Sequence, residues 1–298
     1  MSWTDLLSPE VLARIADYNL LARVAVEGFL SGLHRSIARG YGGEFVQYRG
    51  YVPGDDLKHV DWKLYARQGK AYTKVYQEET NMRCALVLDA SASMAYRGTR
   101  AVCSKFRYGA MLAACLAYLA NRQGDQVGLF VYSDRLLTGT GRGQRSPRLP
   151  QMFAELAKVE VGKRADHAAA MVMAEEYVGK RGLIVLLSDW HDMEQGLARL
   201  VRQIRFGSRD CMVCQILDAD ELDLPFADQR RFVDSESGDE ITTMPALVRE
   251  NYQRRMERFT ARQREDCLRN RTDYELAVTN RNLGDLLAAY LYRREAML

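Results

Sequence analysis

Hydrophobic residues along the middle of the chain alternate between short continuous runs and longer segments of helical spacing. Four apolar runs have the length of strands that are covered on both faces. These are "CALVLDA", "DQVGLFVYS", "GLIVLLSD" and "CMVCQILD". Helices are predicted over "FRYGAMLAACLAYLANRQG", "QMFAELAKV", "ADHAAAMVMAEEYV" and from about residue 193 to 205, because their apolar residues recur every three to four positions. The alternation predicts an α/β fold with a mostly parallel central sheet and helices on both faces.

The segments before and after this alternation have a different character. "SPEVLARIADYNLLARVAVEGFLSGL" predicts one helix with Ser8 as N-cap and Pro9 at its first position. Loops rich in Gly and Tyr follow, and then a strand over "AYTKVYQEE". After the last apolar run come a polar hairpin around "RRFVDSESGDEITT", a long charged helix, a strand and a final helix. We therefore divide the chain into an N-terminal extension (1–81), a core (82–220) and a C-terminal extension (221–298).

Composition narrows the classes of protein to consider. Apolar residues make up 47% of the chain, charged residues 27%, and the formal net charge is +3, which is too small to argue for nucleic-acid binding. No apolar run is long enough to span a bilayer, and the N-terminus lacks the pattern of a signal peptide, so a cytoplasmic location is expected.

Cys211 and Cys214 have CxxC spacing but lie inside a predicted strand, where residues three apart point to opposite faces. Core cysteines are therefore expected, and not a zinc site.

Acidic and hydroxyl side chains stand where the apolar runs end. Three runs end in Asp89, Asp189 and Asp218, and the first continues as "DASAS" with Ser91 and Ser93. In open α/β sheets, ligands bind at the carboxyl ends of the strands. One carboxylate and two hydroxyls in a tight loop suit a hard cation such as Mg²⁺ or Mn²⁺.

The motifs "LVLDASASM" and "LIVLLSDW" resemble the metal-ion-dependent adhesion site of von Willebrand factor A domains. The stretch "GLHRSIARGYGGEFVQYRGYVPGDDLKHVDWKLYAR" is similar to the signature of a bacterial family of such domains, domain of unknown function 58. The resemblance runs from about residue 8 to the C-terminus. It implies a Rossmann-like von Willebrand factor A domain with N- and C-terminal extensions, and association with MoxR-type AAA+ ATPases.

The resemblance also implies a set of metal ligands. Asp89, Ser91 and Ser93 match the first metal loop, and Asp189 matches the third. The family supplies a Thr from its second loop, whereas this chain has Ala165 there. Asp166, the next residue, is the candidate replacement; the alternatives are a water molecule in that position or a site that holds metal poorly.

These observations favour a non-enzymatic interaction module or adaptor. A cation held by Asp89, Ser91, Ser93 and Asp189 would bind a carboxylate of the partner, by resemblance a MoxR-type ATPase or its client. One alternative is a metal-dependent hydrolase, phosphoesterase-like, using Asp89, Asp189 and His191, although the chain lacks the common hydrolase and NTPase motifs. The other is a von Willebrand factor A scaffold whose metal site has decayed, which Ala165 favours.

Overall fold

The computed structural model of the protein describes residues 7–37, 48–50, 72–74, 82–139, 148–193 and 196–295. The chain divides into two compact units. One comprises Met1–Phe29 together with Asn81–Leu298, and the other comprises Leu30–Thr80. Most of the family-like stretch from Gly32 to Arg67 lies outside the described residues. The three-part division at 81 and 220 stays a prediction.

The smaller unit contains a short antiparallel strand pair. Strand β1 (Tyr48–Gly50) pairs with β2 (Tyr72–Lys74), with Tyr48 opposite Lys74. Strand β2 falls within the segment "AYTKVYQEE", where the sequence predicts a strand. Residues 30–37 of the helix Tyr18–Ile37 also belong to the smaller unit.

A six-stranded sheet forms the centre of the larger unit. Its strands are β3 (Arg83–Asp89), β4 (Gln126–Tyr132), β5 (Leu136–Gly139), β6 (Gly182–Ser188), β7 (Asp210–Leu217) and β10 (Asp273–Val278). Their order is β10-β7-β6-β3-β4-β5, the 3-2-1-4-5-6 order of doubly wound folds. Every neighbouring pair is parallel except β4 and β5. The mostly parallel α/β class predicted from the sequence is therefore confirmed.

Helices cover both faces of this sheet. Ala85 and Val87 of β3 join a buried cluster with residues of two helices on one face. Gly109, in a third helix, lies against Leu88 and Ile216 on the other face. The helices are α1 (Pro9–Leu12), α2 (Tyr18–Ile37), α3 (Lys105–Arg122), α4 (Leu149–Leu156), α5 (His167–Val178), α6 (Leu197–Phe206), α7 (Ala219–Asp223), α8 (Pro245–Arg269) and α9 (Gly284–Glu295).

The N-terminal segment departs from the prediction of one continuous helix. It forms α1 and α2, separated by residues 13–17. Asp17 explains the break, because its carboxylate accepts hydrogen bonds from the backbone N–H groups of Asn19 and Leu20 and so caps a new helix. Ser8 does occupy the N-cap position of α1, although its side chain makes no capping hydrogen bond.

The C-terminal segment follows the predicted order. The hairpin consists of β8 (Arg230–Val233) and β9 (Glu240–Thr243), and α8, β10 and α9 follow. All six cysteines are buried and free, which agrees with core cysteines at the CxxC positions.

Candidate metal centre

The sheet brings two of the predicted acidic side chains to one corner. β3 ends at Asp89 and its neighbour β6 ends at Ser188, with Asp189 immediately after it. Because parallel strands end at the same edge of a sheet, the two aspartates lie on adjacent strand ends. Both are buried, with 1% and 2% of their surfaces exposed.

Asp89 is a buried carboxylate held by neutral donors. Its Oδ2 accepts a hydrogen bond from Ser188 Oγ at 2.7 Å, and its Oδ1 accepts one from the Ser91 N–H at 2.7 Å. No lysine or arginine in the described ranges lies within ion-pair distance of it. Burial and the nearby Asp189 carboxylate raise the pKa of Asp89, against the effect of its hydrogen bonds. Among the residues that the structure describes, Asp89 therefore forms no ion pair with a lysine or arginine.

The two loop hydroxyls are paired beside Asp89. Ser91 Oγ and Ser93 Oγ are 3.1 Å apart, and Ser91 is 1% exposed. Two adjacent ligands of an octahedral Mg²⁺ at 2.0–2.1 Å stand about 2.9 Å apart, so this spacing allows one small cation to bind both oxygens. The loop is fixed in place, because the Ala90 N–H donates to Tyr132 O at 2.7 Å and the Ala92 N–H donates to Lys163 O at 2.7 Å.

The second loop lies beside the first but contributes no hydroxyl. The Gly162 N–H donates to Ala90 O at 3.0 Å, so residues 162 and 163 flank the first loop. Ala165 packs against the hydrophobic core. Asp166 is exposed and is the N-cap of α5, where its Oδ1 accepts hydrogen bonds from the N–H groups of Ala168 and Ala169 at 3.1 and 3.3 Å. Its role as a metal ligand stays a prediction.

Asp189 has a partner that sequence reasoning missed. Lys105, with no exposed surface, donates from its Nζ to Asp189 Oδ2 at 2.8 Å and to Glu221 Oε1 at 2.6 Å. Burial alone would raise the pKa of Asp189, but the Lys105 ammonium, together with His191 and a hydrogen bond from Ser93, lowers that pKa well below the usual range. The pKa of Glu221 is lowered for the same reason, with help from His191. One signal was available: Lys105 opens a helix, where the helix dipole disfavours a cation.

Trp190, which follows Asp189, is held in a conformation that bulky residues rarely adopt. Its φ of 60° lies in the left-handed region, and its side chain is 1% exposed. The ring stacks on His167 with centroids 5.3 Å apart, and the indole N–H is buried without a hydrogen-bond partner. The stack connects the third loop with the first residue of α5. The left-handed φ of Trp190 places backbone strain directly after Asp189.

His191 and Asp218 occupy other positions. The His191 ring stacks on Phe259 at 5.6 Å, and its Nε2 is 3.5 Å from Glu221 Oε1. Asp218 lies outside the metal corner and is fully buried in a structural network. Its carboxylate accepts from Gly98 N–H at 3.0 Å, Thr279 Oγ1 at 2.9 Å and Asp220 N–H at 2.9 Å.

The donor set fits a hard cation only if the hydroxyls take part. Among the described residues, no group of three or more His, Cys, Asp or Glu side chains is placed to hold a metal ion. Ser91 and Ser93 supply two neutral oxygens at chelating distance, and Asp89 supplies a buried charge beside them. Oxygen donors of this kind suit Mg²⁺ or Mn²⁺ and not zinc.

The larger unit is a doubly wound α/β domain that resembles a von Willebrand factor A domain in its Asp-x-Ser-x-Ser loop at the end of a central strand. The family model described as "Protein of unknown function DUF58" matches residues 47–264, and the chain belongs to that family.

The chain is similar to two mycobacterial relatives, uncharacterized protein Rv1480 of Mycobacterium tuberculosis and uncharacterized protein Mb1516 of Mycobacterium bovis. Each is 27% identical over 251 residues, covering 82% of this chain and 77% of its own length.

Solved structures overlap with the chain at low identity. BatB from Bacteroides thetaiotaomicron is 13% identical with a TM-score of 0.43, covering 71% of this chain and 98% of its own. The SpRpn10 VWA domain is 13% identical with a TM-score of 0.40, covering 70% and 94%. Within the part of this chain that the structure describes, no helix has both the length and the apolarity to cross a membrane.

Proposed function

We propose that the protein is a non-enzymatic interaction module that recognises its partner through a divalent cation at the ends of β3 and β6. The observation that carries the proposal is the pairing of Asp89 with two hydroxyls. A buried carboxylate without a basic partner is costly unless a cation offsets it. Ser91 Oγ and Ser93 Oγ, 3.1 Å apart, provide a position for that cation next to the charge.

Each residue has a separate part in this proposal. Ser91 and Ser93 hold the cation directly, while Asp89 and Asp189 supply negative charge around it. Bound Mg²⁺ or Mn²⁺ would offer an open coordination position to a carboxylate of the partner. Asp166, which caps the adjacent helix N-terminus, is the candidate ligand for the position where Ala165 supplies no hydroxyl.

The surface above Ser93 has room for a segment of the partner. A cleft of about 710 Å³ opens there. Its floor includes Ser93, Tyr96 and His191, and the β8–β9 hairpin forms its wall through Val233 to Ser237. Arg164 lies 3.7 Å from Glu236 and joins the second loop to the hairpin tip. A partner's acidic side chain entering this cleft would reach the hydroxyl pair.

The proposed partner is a MoxR-type AAA+ ATPase or the client that it remodels, in the cytoplasm. This step rests on the resemblance of the sequence to its family. Binding of the partner would then depend on Mg²⁺.

The first experiment is a titration of chelator-treated protein with Mn²⁺, followed by calorimetry and electron paramagnetic resonance. We expect one saturable site, with affinity lowered about tenfold or more in Ser91→Ala and in Ser93→Ala, because each removes one of few ligands. Ser235→Ala is the matched control, since Ser235 lines the same cleft on the hairpin and should leave binding unchanged. Failure of the unaltered protein to bind Mn²⁺, or equal binding by the Ser91 variant, would refute a cation site and favour a decayed scaffold.

The second experiment tests the partner. Purified MoxR-type ATPase from the same organism should be retained by the immobilised protein in Mg²⁺ and released by chelator. Retention that persists in chelator would place the contact on another surface.

A further inference from the structure

Lys105 places a positive charge inside the candidate metal centre. It is the first residue of α3, after the N-cap Ser104, and its side chain is completely buried. Nζ reaches Asp189 Oδ2 at 2.8 Å and Glu221 Oε1 at 2.6 Å. The Tyr96 ring, which also lines the cleft, lies 5.9 Å from the same nitrogen.

Lys105 forms two ion pairs from a position with no exposed surface. A buried ammonium in contact with two carboxylates stabilises both of them, and its removal leaves both charges uncompensated.

We propose that Lys105 is a resident counter-ion of the metal centre, which holds the aspartate loops together when no divalent cation is bound and weakens the binding of that cation. This inference rests on the proposed function for the cation itself. The side chains of Asp89, Asp189 and Glu221 carry three negative charges when ionised, and Lys105 reduces the sum to two. One divalent cation balances the remainder.

The same contacts connect the metal centre to the start of the C-terminal extension. Glu221 accepts from Lys105 through Oε1 and from the Asp218 N–H through Oε2 at 2.7 Å, as part of the capping box of α7. The third metal loop is thus joined to α7 through the ammonium. Lys105 is accordingly a positioning residue that acts on the cation through Asp189.

The test is Lys105→Met, which keeps the length and apolar stem of the side chain and removes its charge. We expect Mn²⁺ affinity to increase about tenfold or more, because a positive charge near the cation is gone. In chelator the variant should melt at a lower temperature than the unaltered protein, and Mg²⁺ should restore a large part of the loss. Lys158→Met is the matched control, since Lys158 forms an exposed ion pair far along the chain and should change neither property.

A second variant covers the case in which Lys105→Met does not fold without metal. Glu221→Gln removes one negative charge and leaves the ammonium on Asp189, so Mn²⁺ affinity should decrease instead of increase. Affinity that moves the same way in both variants would contradict the counter-ion role.

The outcomes separate this inference from the proposed function. If the unaltered protein binds Mn²⁺ and Lys105→Met binds it no better, the inference is wrong and the proposed function stands. If only Lys105→Met binds, the ammonium replaces the metal and the proposed cation-dependent function is wrong. If neither protein binds, both are wrong.

Discussion

Gly98→Ala tests whether the loop after the candidate metal residues depends on close contact with Asp218. The Gly98 N–H donates to Asp218 Oδ2 at 3.0 Å. A Cβ at this position would lie 2.1 Å from Asp218 Oδ1 and 2.8 Å from Asp220 Oδ2. Distances below 3.0 Å are not tolerated, so the loop or the carboxylates must move. Asp218 has little freedom to do so, because it also accepts from Thr279 and from the Asp220 N–H.

The expected cost follows from the hydrogen bonds that such a movement breaks. Each hydrogen bond to a charged group is worth about 1.5–3 kcal/mol, and the shift would weaken one or two of them on a fully buried carboxylate. Alanine also reduces the entropy of the unfolded chain, which offsets about 0.4–1 kcal/mol. We therefore expect the free energy of unfolding to fall by about 2–4 kcal/mol.

Equilibrium unfolding in urea, followed by circular dichroism, measures this change. Gly162→Ala is the matched control, because no atom lies within 4 Å of the position of its Cβ, although Gly162 also lies in a loop beside the metal residues. We expect the control to unfold at the same urea concentration as the unaltered protein or slightly above it. Unfolding of Gly98→Ala within about 0.5 kcal/mol of the unaltered protein would refute the close-contact argument.

Three further predictions concern charge and reactivity. Arg294→Met should lower the free energy of unfolding, measured in urea, by about 3–5 kcal/mol, because it leaves the buried Asp125 carboxylate without its ion-pair partner. Lys158→Met removes an exposed ion pair and should cost under about 1 kcal/mol. Burial would raise the pKa of Asp220, but hydrogen bonds from Thr99 and Arg100 lower it. The contribution of Asp220 to stability is therefore present above its pKa in the unfolded chain and is lost as pH falls through its lower pKa in the folded protein. Unfolding in urea between pH 5 and 3 should therefore depend less on pH in Asp220→Asn. Burial raises the pKa of all six thiols, so a disulfide reagent at pH 7.5 should label them slowly in the native protein and fast in denaturant; six fast thiols in the native protein would contradict this.

The sheet and its helices were predictable because each strand carries its own signal. A continuous apolar run of seven or eight residues has few alternatives when helical segments flank it on both sides. The break between α1 and α2 was missed for the opposite reason. The apolar spacing continues across residues 13–17, so it predicts one helix. Asp17 caps a second helix there, and this side-chain capping competes with continuation of the first helix.

The site was predictable only as far as it depends on strand ends. Asp89 and Asp189 could be paired from the sequence because the topology of a parallel sheet brings successive strand ends to one edge. Lys105 could not be paired with them, since 84 residues separate it from Asp189 and 116 from Glu221. The contact between a charged residue and a buried carboxylate depends on how its helix packs on the sheet. The spacing of apolar residues along the sequence does not predict that packing.

The contacts of the third loop extend beyond residue 220, into the predicted C-terminal extension. Asp189 O accepts from Gln215, whose amide oxygen in turn accepts from the hydroxyl of Tyr274 in β10. Phe259 of α8 stacks on His191. Gln263 donates to Met193 O, and Glu221 holds Lys105 against Asp189. Residues beyond 220 thus fix the backbone, the ring and the counter-ion of the loop that bears Asp189. The C-terminal extension is therefore part of the structure that positions Asp189 and its loop.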